Sequence, residues 1–351
     1  MINPYPTYQM FIYFWHGIFK MKLFLDIKIM EITLVNLFCR YPILRRFNIK
    51  IFITGGNGFL GKTLIRYLRK NDNIIVAPDS KELDLRDHRF LKGFIQERFD
   101  VILHLAAWTQ AGNFASKYPG SQWINNQLIN TNVLTWWKES QPHAFLVSIG
   151  TSCSYEDGSD FDEGSYLKGL PDGDLLTYGS SKRMLYIGQM AIEKEFGLKS
   201  LVAVPATLYG EGYELNNRQP HFIFDLIKKS LNQKHHSQPI RIWGNGNQKR
   251  EIIFVEDFVK ILIHLVKKQT TGLINIGTGY EHDINFYLNE ILTICDIKNP
   301  IIHHDLQAYV GVLSKKLSIN RVKTLLPDTR LTNLKVGLTK TIYDLETRYY
   351  L

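Results

Sequence analysis

Residues 49–67, reading IKIFITGGNGFLGKTLIRY, limit the possible folds more than any other stretch of the chain. The apolar run 49–53 reads as a strand buried on both faces of a parallel sheet. It breaks at once into a glycine turn, and a helical pattern comes next. In such a unit Gly55 takes the tight turn, Gly58 has no side chain to hold a diphosphate off the backbone, and Gly61 lets helix and strand pack closely. Asn57, Phe59 and Leu60 complete the loop, and the N–H groups and positive pole of the new helix face the phosphates. Three glycines alone are weak evidence, but between a strand and a helix they point to a dinucleotide.

From there strand-like and helix-like segments alternate, with further strands expected at 73–77, 101–105, 143–149 and 201–204. Such alternation implies an α/β fold with a doubly wound parallel Rossmann sheet. Beyond residue 208 the regularity falls: a polar loop leads to an amphipathic helix at 221–231, and 240–243 and 273–276 read as strands around a helix at 255–267. The expected organisation is a dinucleotide-binding domain of 48–208 plus 240–276. A smaller, discontinuous C-terminal substrate-binding lobe of 209–239 plus 277–351 lies over the carboxyl ends of the strands, where ligands bind in such sheets. Residues 1–47 are an atypical N-terminal extension. They are aromatic and apolar over 10–19, but Lys20, Lys22, Asp26, Lys28 and Glu31 break up the stretch beyond. No run reaches the roughly 20 uncharged residues of a membrane span, and neither a basic leader nor a small-residue cleavage site marks a secretory signal. No membrane contact by the extension is expected.

The formal net charge of +9 suits nucleic acid, an anionic membrane face or an anionic small molecule. Lysines and arginines are spread along the chain without aromatic interleaving or a basic helix, which argues against nucleic acid. Cys39, Cys153 and Cys295 are few, odd in number and without CxxC spacing, as expected of a protein of the reducing cytoplasm with no disulfide framework or zinc site. His303 and His304 lack partner ligands at metal spacing, and no metal is expected.

The end of the second strand should meet the adenosine ribose, and Asp79, Ser80 and Lys81 stand there. Asp79 favours the free 2′-hydroxyl of NAD, whereas Ser80 and Lys81 suit the 2′-phosphate of NADP. Asp84 and Leu85 come shortly after, with Asp84 placed either to accept from the adenine amino group or to cap a helix. Among the 18 tyrosines, Tyr178 alone has a lysine four positions later, Lys182, which puts the two on one helix face. They come after Thr151, at the end of the fourth strand, on the same edge of the sheet as the glycine loop. A nearby ammonium and a cationic cofactor are expected to lower the phenol's pKa, so that Tyr178 exchanges a proton with a carbonyl or alcohol oxygen held by Thr151 while Lys182 binds ribose hydroxyls.

These residues carry a family resemblance. TGGNGFLG at 54–61, HLAA at 104–107, Asn126, Asn132, TSCSY at 151–155, YGSSK at 178–182, VPATLYG at 204–210, RIWGNG at 241–246 and Arg250–Glu251 resemble the extended short-chain dehydrogenase/reductase superfamily from about residue 49 to the C-terminus. Within it the chain is similar to the GDP-L-fucose synthase family, in its Ser-Cys after the fourth strand, its histidine after the PxxLYG run and its WGxG and RE segments. The resemblance implies an NADPH-dependent 3,5-epimerase and 4-reductase of a GDP-4-keto-6-deoxy sugar, with NADP as cofactor and NAD as the alternative. It implies Tyr178 and Lys182 as the hydride pair, Thr151 in the hydroxyl position, and Cys153 with His221 as the epimerising acid/base pair. It further implies Leu105, Ala106 and Ala107 at the cofactor, Lys229, Trp243 and Arg250 at the substrate, a nucleotide-diphosphate sugar as partner, and a homodimer.

Chemistry supports several of these roles separately. Inverting a carbon beside a ketone needs a base on one face and an acid on the other, and a thiol and an imidazole both tune close to neutrality. Lys229 and Arg250 suit a diphosphate, Arg250 in bidentate fashion. The chain departs from the family at Pro78 and Asp79, where arginines for the 2′-phosphate are absent, at Tyr309-Val310-Gly311 in place of Pro-Asp-Gly, and in the loop 211–220. Two other readings therefore stand beside the first: a nucleotide-sugar 4-epimerase or dehydratase retaining NAD, and a non-catalytic nucleotide-sensing module.

Overall fold

The computed structural model describes residues 49–215, 219–308 and 310–351. The expectations for residues 1–47 and for Tyr309 lie outside the described residues. Along the chain, β1 (Lys50–Thr54), α1 (Phe59–Leu68), β2 (Ile74–Val76), β3 (Val101–His104), α2 (Pro119–Ser140), β4 (Phe145–Ile149), α3 (Leu176–Phe196) and β5 (Ser200–Pro205) alternate as a doubly wound chain should. After them come β6 (Thr207–Tyr209), α4 (Phe222–His236), β7 (Ile240–Trp243), β8 (Lys249–Arg250), β9 (Ile252–Phe254), α5 (Val255–Lys267), β10 (Gly272–Ile276), β11 (His282–Asp283), α6 (Ile284–Ile294), β12 (Ile302–Asp305) and α7 (Leu334–Tyr349).

The central sheet has six strands in the order β2-β1-β3-β4-β5-β10, and every neighbouring pair is parallel. Ile51, Phe52 and Ile53 are all but fully buried, as a strand covered on both faces requires. Phe52 packs its ring 4.9 to 5.1 Å from those of Trp136, Phe99 and Phe94. Truncating such a side chain to alanine costs about 3–5 kcal/mol. The strand order reverses beside β1, with β2 on one side and β3 on the other, which opens a crevice outside the carboxyl ends of the strands. Register pairs Thr54 with His104 and His104 with Ser148, so β1, β3 and β4 end level and their loops leave from one edge.

A second core gathers Ile223, Phe224, Ile227, Ile284, Ile291, Leu338 and Leu345 from α4, α6 and α7. The strand Ile240–Trp243, grouped by sequence with the dinucleotide-binding part, lies outside the six-stranded sheet and pairs in parallel with β12. Its pattern explains this: Ile240 and Ile242 are buried in the second core while Arg241 and Trp243 face outward, the alternation of a half-covered strand. Conversely, residues 317–325 return to the central sheet. Leu317 forms a bridge with Phe161, and the Arg321 guanidinium donates from Nη1 to the Leu273 carbonyl of β10 at 2.8 Å. Among the described residues no helix is long and apolar enough to cross a membrane.

Candidate active site

The crevice opens into a cleft of about 1210 Å³ that runs from the β2 end, past the glycine loop and the end of β4, to β7 and β8. Its first wall is the glycine turn. Gly55 has φ +71°, and a Cβ there would come within 2.9 Å of the Ala106 nitrogen. A Cβ on Gly61 would collide with the carbonyl oxygens of Gly55 and Gly56, so only glycine lets α1 start this close to β1. Gly58 caps α1 in an extended conformation, and no acidic residue occupies the first turn, which leaves the positive end of the helix directed at the cleft. The backbone nitrogens of Leu105 and Ala106 donate to Thr54 Oγ1 at 3.1 and 3.2 Å, fixing the segment that continues to Ala107 against this turn. Asn57, Phe59 and Leu60 line the same wall. A cradle that any side chain would fill, under a helix terminus, fits a dinucleotide diphosphate.

At the β2 end Asp79 Oδ1 accepts from the backbone nitrogens of Lys81 and Glu82 at 2.7 and 3.0 Å, and those bonds hold its carboxyl below the usual range. The carboxylate of Asp84 is bound by the guanidinium of Arg86 at 2.6 to 3.1 Å, which lowers it likewise. Leu85 lies beside them on the cleft wall.

Thr151 stands two residues beyond β4 and caps the short turn Ser152–Ser154, its Oγ1 accepting from the Cys153 nitrogen at 3.2 Å. This turn is tied to α3: Ser154 Oγ donates to the Gly179 carbonyl at 3.0 Å and Arg183 Nε to the Ser154 carbonyl at 2.8 Å. A Cβ on Gly179 would stand 2.6 Å from the Cys153 carbonyl oxygen. The glycine between Tyr178 and Lys182 is thus what lets α3 lie against the turn, with the Tyr178 phenol in reach of the Thr151 hydroxyl. Lys182 is only 4% exposed, and burial lowers its ammonium to about 8. Among the described residues no hydrogen bond to that ammonium is made, and Lys182 lines the cleft, where ribose hydroxyls would meet it. Behind it His104 is held by Thr54 Oγ1 at 2.9 Å and Asn130 Oδ1 at 3.1 Å, and burial, then the Lys182 charge, lower the imidazole to about 4.

One electrostatic expectation needs correction. The Tyr178 phenol is raised above its ordinary value, by burial first and then by Cys153 and Tyr166 nearby. Lys182 does not offset this in the protein alone, so the phenol is protonated at neutral pH.

The opposite wall carries His221, at the N-cap of α4 with no capping bond from its ring. Burial, then Lys315, pull the imidazole below its usual value, and because the side chain is open to water in the cleft the shift is moderated there. Lys229 pairs with Asp225 at 2.5 Å and donates to the Arg241 carbonyl at 2.7 Å. Arg250 donates to the carbonyls of Lys249, Val310 and Val312 at 2.6 to 2.7 Å. Trp243 stands half-exposed on the same wall. The sequence holds no hint of Lys315, whose Nζ donates to Cys153 Sγ at 3.2 Å across 162 positions, because no local spacing marks such a contact.

The profile of the NAD dependent epimerase/dehydratase family matches residues 51–277. The chain belongs to this family. As a member of the NAD dependent epimerase/dehydratase family it is an NAD(P)-dependent oxidoreductase or epimerase of the extended short-chain dehydrogenase type. A GDP-L-colitose synthase of Yersinia pseudotuberculosis is 26% identical over 305 residues, covering 83% of this chain and 96% of that protein. A GDP-L-fucose synthase of Azorhizobium caulinodans is 27% identical over 288 residues, covering 79% and 90%. In fold the family member resembles a GDP-L-fucose synthetase from Naegleria fowleri bound to NADP, with TM-score 0.80, 22% identity and coverage of 88% of this chain and 96% of that one. It also resembles a Thermus thermophilus UDP-glucose 4-epimerase in complex with NAD, with TM-score 0.72, 17% identity and coverage of 86% and 100%.

Proposed function

We propose that the protein reduces, and epimerises beside the ketone, a 4-keto-6-deoxy sugar carried on GDP, using NADPH or NADH. The observation that carries this reading is one cleft with two sets of groups: Thr151, Tyr178 and Lys182 on the nucleotide side, Cys153 and His221 toward the basic wall of Lys229 and Arg250. When bound, a reduced nicotinamide supplies the hydride. Thr151 holds the ketone oxygen, and Tyr178, protonated at neutral pH, gives that oxygen its proton as the carbon is reduced. Lys182 orients the cofactor ribose beside Tyr178. In the epimerising step Cys153 removes a proton from the carbon next to the ketone and His221 returns one from the other face. His221 has to gain that proton, and the negative charge of substrate diphosphate and enolate favours its doing so. Arg250 and Lys229 meet the diphosphate, and Trp243 packs against the sugar nucleotide. The cofactor lies against residues 48–208 and the sugar against segments of 209–239 and 277–351, with β7 and β8 contributing Trp243 and Arg250. The active form is a homodimer in the cytoplasm.

A second reading, a 4-epimerase or dehydratase retaining NAD, draws on Asp79 at the ribose end of the cleft. Turnover of NADPH and NADH with GDP-, UDP-, dTDP- and CDP-4-keto sugars, with product stereochemistry read by NMR, separates them. Oxidation of the cofactor with a GDP-4-keto sugar and an inverted centre is expected. Redox-neutral conversion of a nucleotide sugar supports the second reading, and no cofactor oxidation with any ketone overturns the first.

A further inference from the structure

We propose that Lys315 is the positioning residue for Cys153, its ammonium holding the side chain as a thiolate aimed into the cleft. The inference rests on the reading of Cys153 as the base of the epimerising step. The contact is direct, 3.2 Å from Nζ to Sγ, and among the described residues it is the one bond made by that ammonium. Its geometry is built rather than incidental. The backbone of Lys315 donates to Glu281 Oε2 at 3.0 Å, its carbonyl accepts from the Glu251 nitrogen at 3.2 Å, and two residues on the Leu317 nitrogen donates to the buried Glu251 carboxylate at 2.7 Å. These bonds pin the loop on both sides and leave the lysine stem to span from the β8–β11 layer to the end of β4.

The groups acting on Cys153 are Lys315, the Thr151 hydroxyl and Arg250, and the Tyr166 and Tyr178 phenols are near enough to feel its charge. Burial alone would push the thiol up, and Lys315, Thr151 and Arg250 together bring it below its ordinary value. In the step, the C–H bond beside the ketone breaks, the S–H bond forms, and the electron pair moves onto the ketone oxygen as an enolate. Lys315 stays protonated throughout and donates its hydrogen bond to sulfur.

The pH dependence of iodoacetamide alkylation, followed at the Cys153 peptide by mass spectrometry in the full chain, tests this without any sugar. Wild type should titrate below the roughly 8.5 of a free thiol. Lys315→Met should move the midpoint up by about one unit, slowing alkylation at pH 7 by roughly tenfold. Lys315→Arg should keep the wild-type profile, and Lys315→Gln, which retains a donor without charge, should behave as Lys315→Met. A profile unchanged in a folded Lys315→Met or Lys315→Gln overturns the proposal. A shifted profile supports the pairing even if no nucleotide sugar is turned over, an outcome that would defeat the proposed function alone.

Discussion

Lys182 is a largely buried cation with no ion pair among the described residues, and its lowered pKa of about 8 gives the protein a pH dependence with a definite sign. Below that value the ammonium is present to bind ribose hydroxyls; as pH rises through it the charge is lost. Cofactor affinity, measured by NAD(P)H fluorescence titration, should therefore weaken above about pH 8, and Lys182→Met should both weaken binding and flatten that dependence. Tyr178 works in the opposite sense, since burial keeps it protonated and so ready to donate. Tyr178→Phe should lower kcat about 10²- to 10⁴-fold while dissociation constants for cofactor and nucleotide change little, as seen by single-turnover kinetics beside equilibrium titration. The proposed function puts Asp79 at the other end of the cofactor. Its ionised carboxylate, oriented by two backbone N–H groups, repels a 2′-phosphate. Asp79→Ala should improve NADPH binding relative to NADH by roughly fivefold or more, and an unchanged ratio of the two dissociation constants would remove Asp79 from cofactor choice.

Elements are joined at this site by a few buried polar nodes, of which Glu251 is the most connected. Between β8 and β9 its carboxylate accepts from the backbone nitrogens of Thr278, Gly279 and Leu317 at 2.5 to 2.7 Å, so one side chain ties the loop after β10 to the loop that carries Lys315. Glu251→Ala strands three donors in a buried site and should cost about 3 kcal/mol or more in a denaturant melt, with the Cys153 alkylation midpoint rising as Lys315 is released. The same contrast explains what sequence reveals. The β1–glycine–α1 unit is legible because a buried strand, a turn and a helix start are written in consecutive residues, and Tyr178 and Lys182 are legible because helical spacing is local. The joining of β6 to β9 and of β7 to β12 is not, since each pair is matched across a long stretch of chain by packing, and Ile240–Trp243 read alone suits either core. Lys315 escapes for the same reason: its partner is chosen by the fold, and a lysine in a polar loop carries no mark of it.

At the scale of the molecule, the pair α2 and α3 has two faces. The inner face buries Ile129, Val133, Trp136 and Trp137 from α2 with Leu185 and Gln189 from α3. The outer face leaves Ile124, Leu128, Met184, Ile187 and Met190 between 42 and 59% exposed, large apolar side chains on two helices packed side by side. Such a patch suits an association surface, and under the proposed homodimer two adjacent helices presenting it would meet a second copy turned by a two-fold axis, bringing four helices together with each apolar stripe against its equivalent. The cleft is lined within one chain, so pairing here leaves every catalytic group in place. Wild type should elute in light scattering at twice the 40.8 kDa of the chain. Ile124→Glu combined with Ile187→Glu sets like charges opposite one another across the axis and should give a folded monomer with the cofactor affinity of wild type. A wild-type monomer at about 10 μM, or a double variant that remains dimeric, would place any association surface elsewhere.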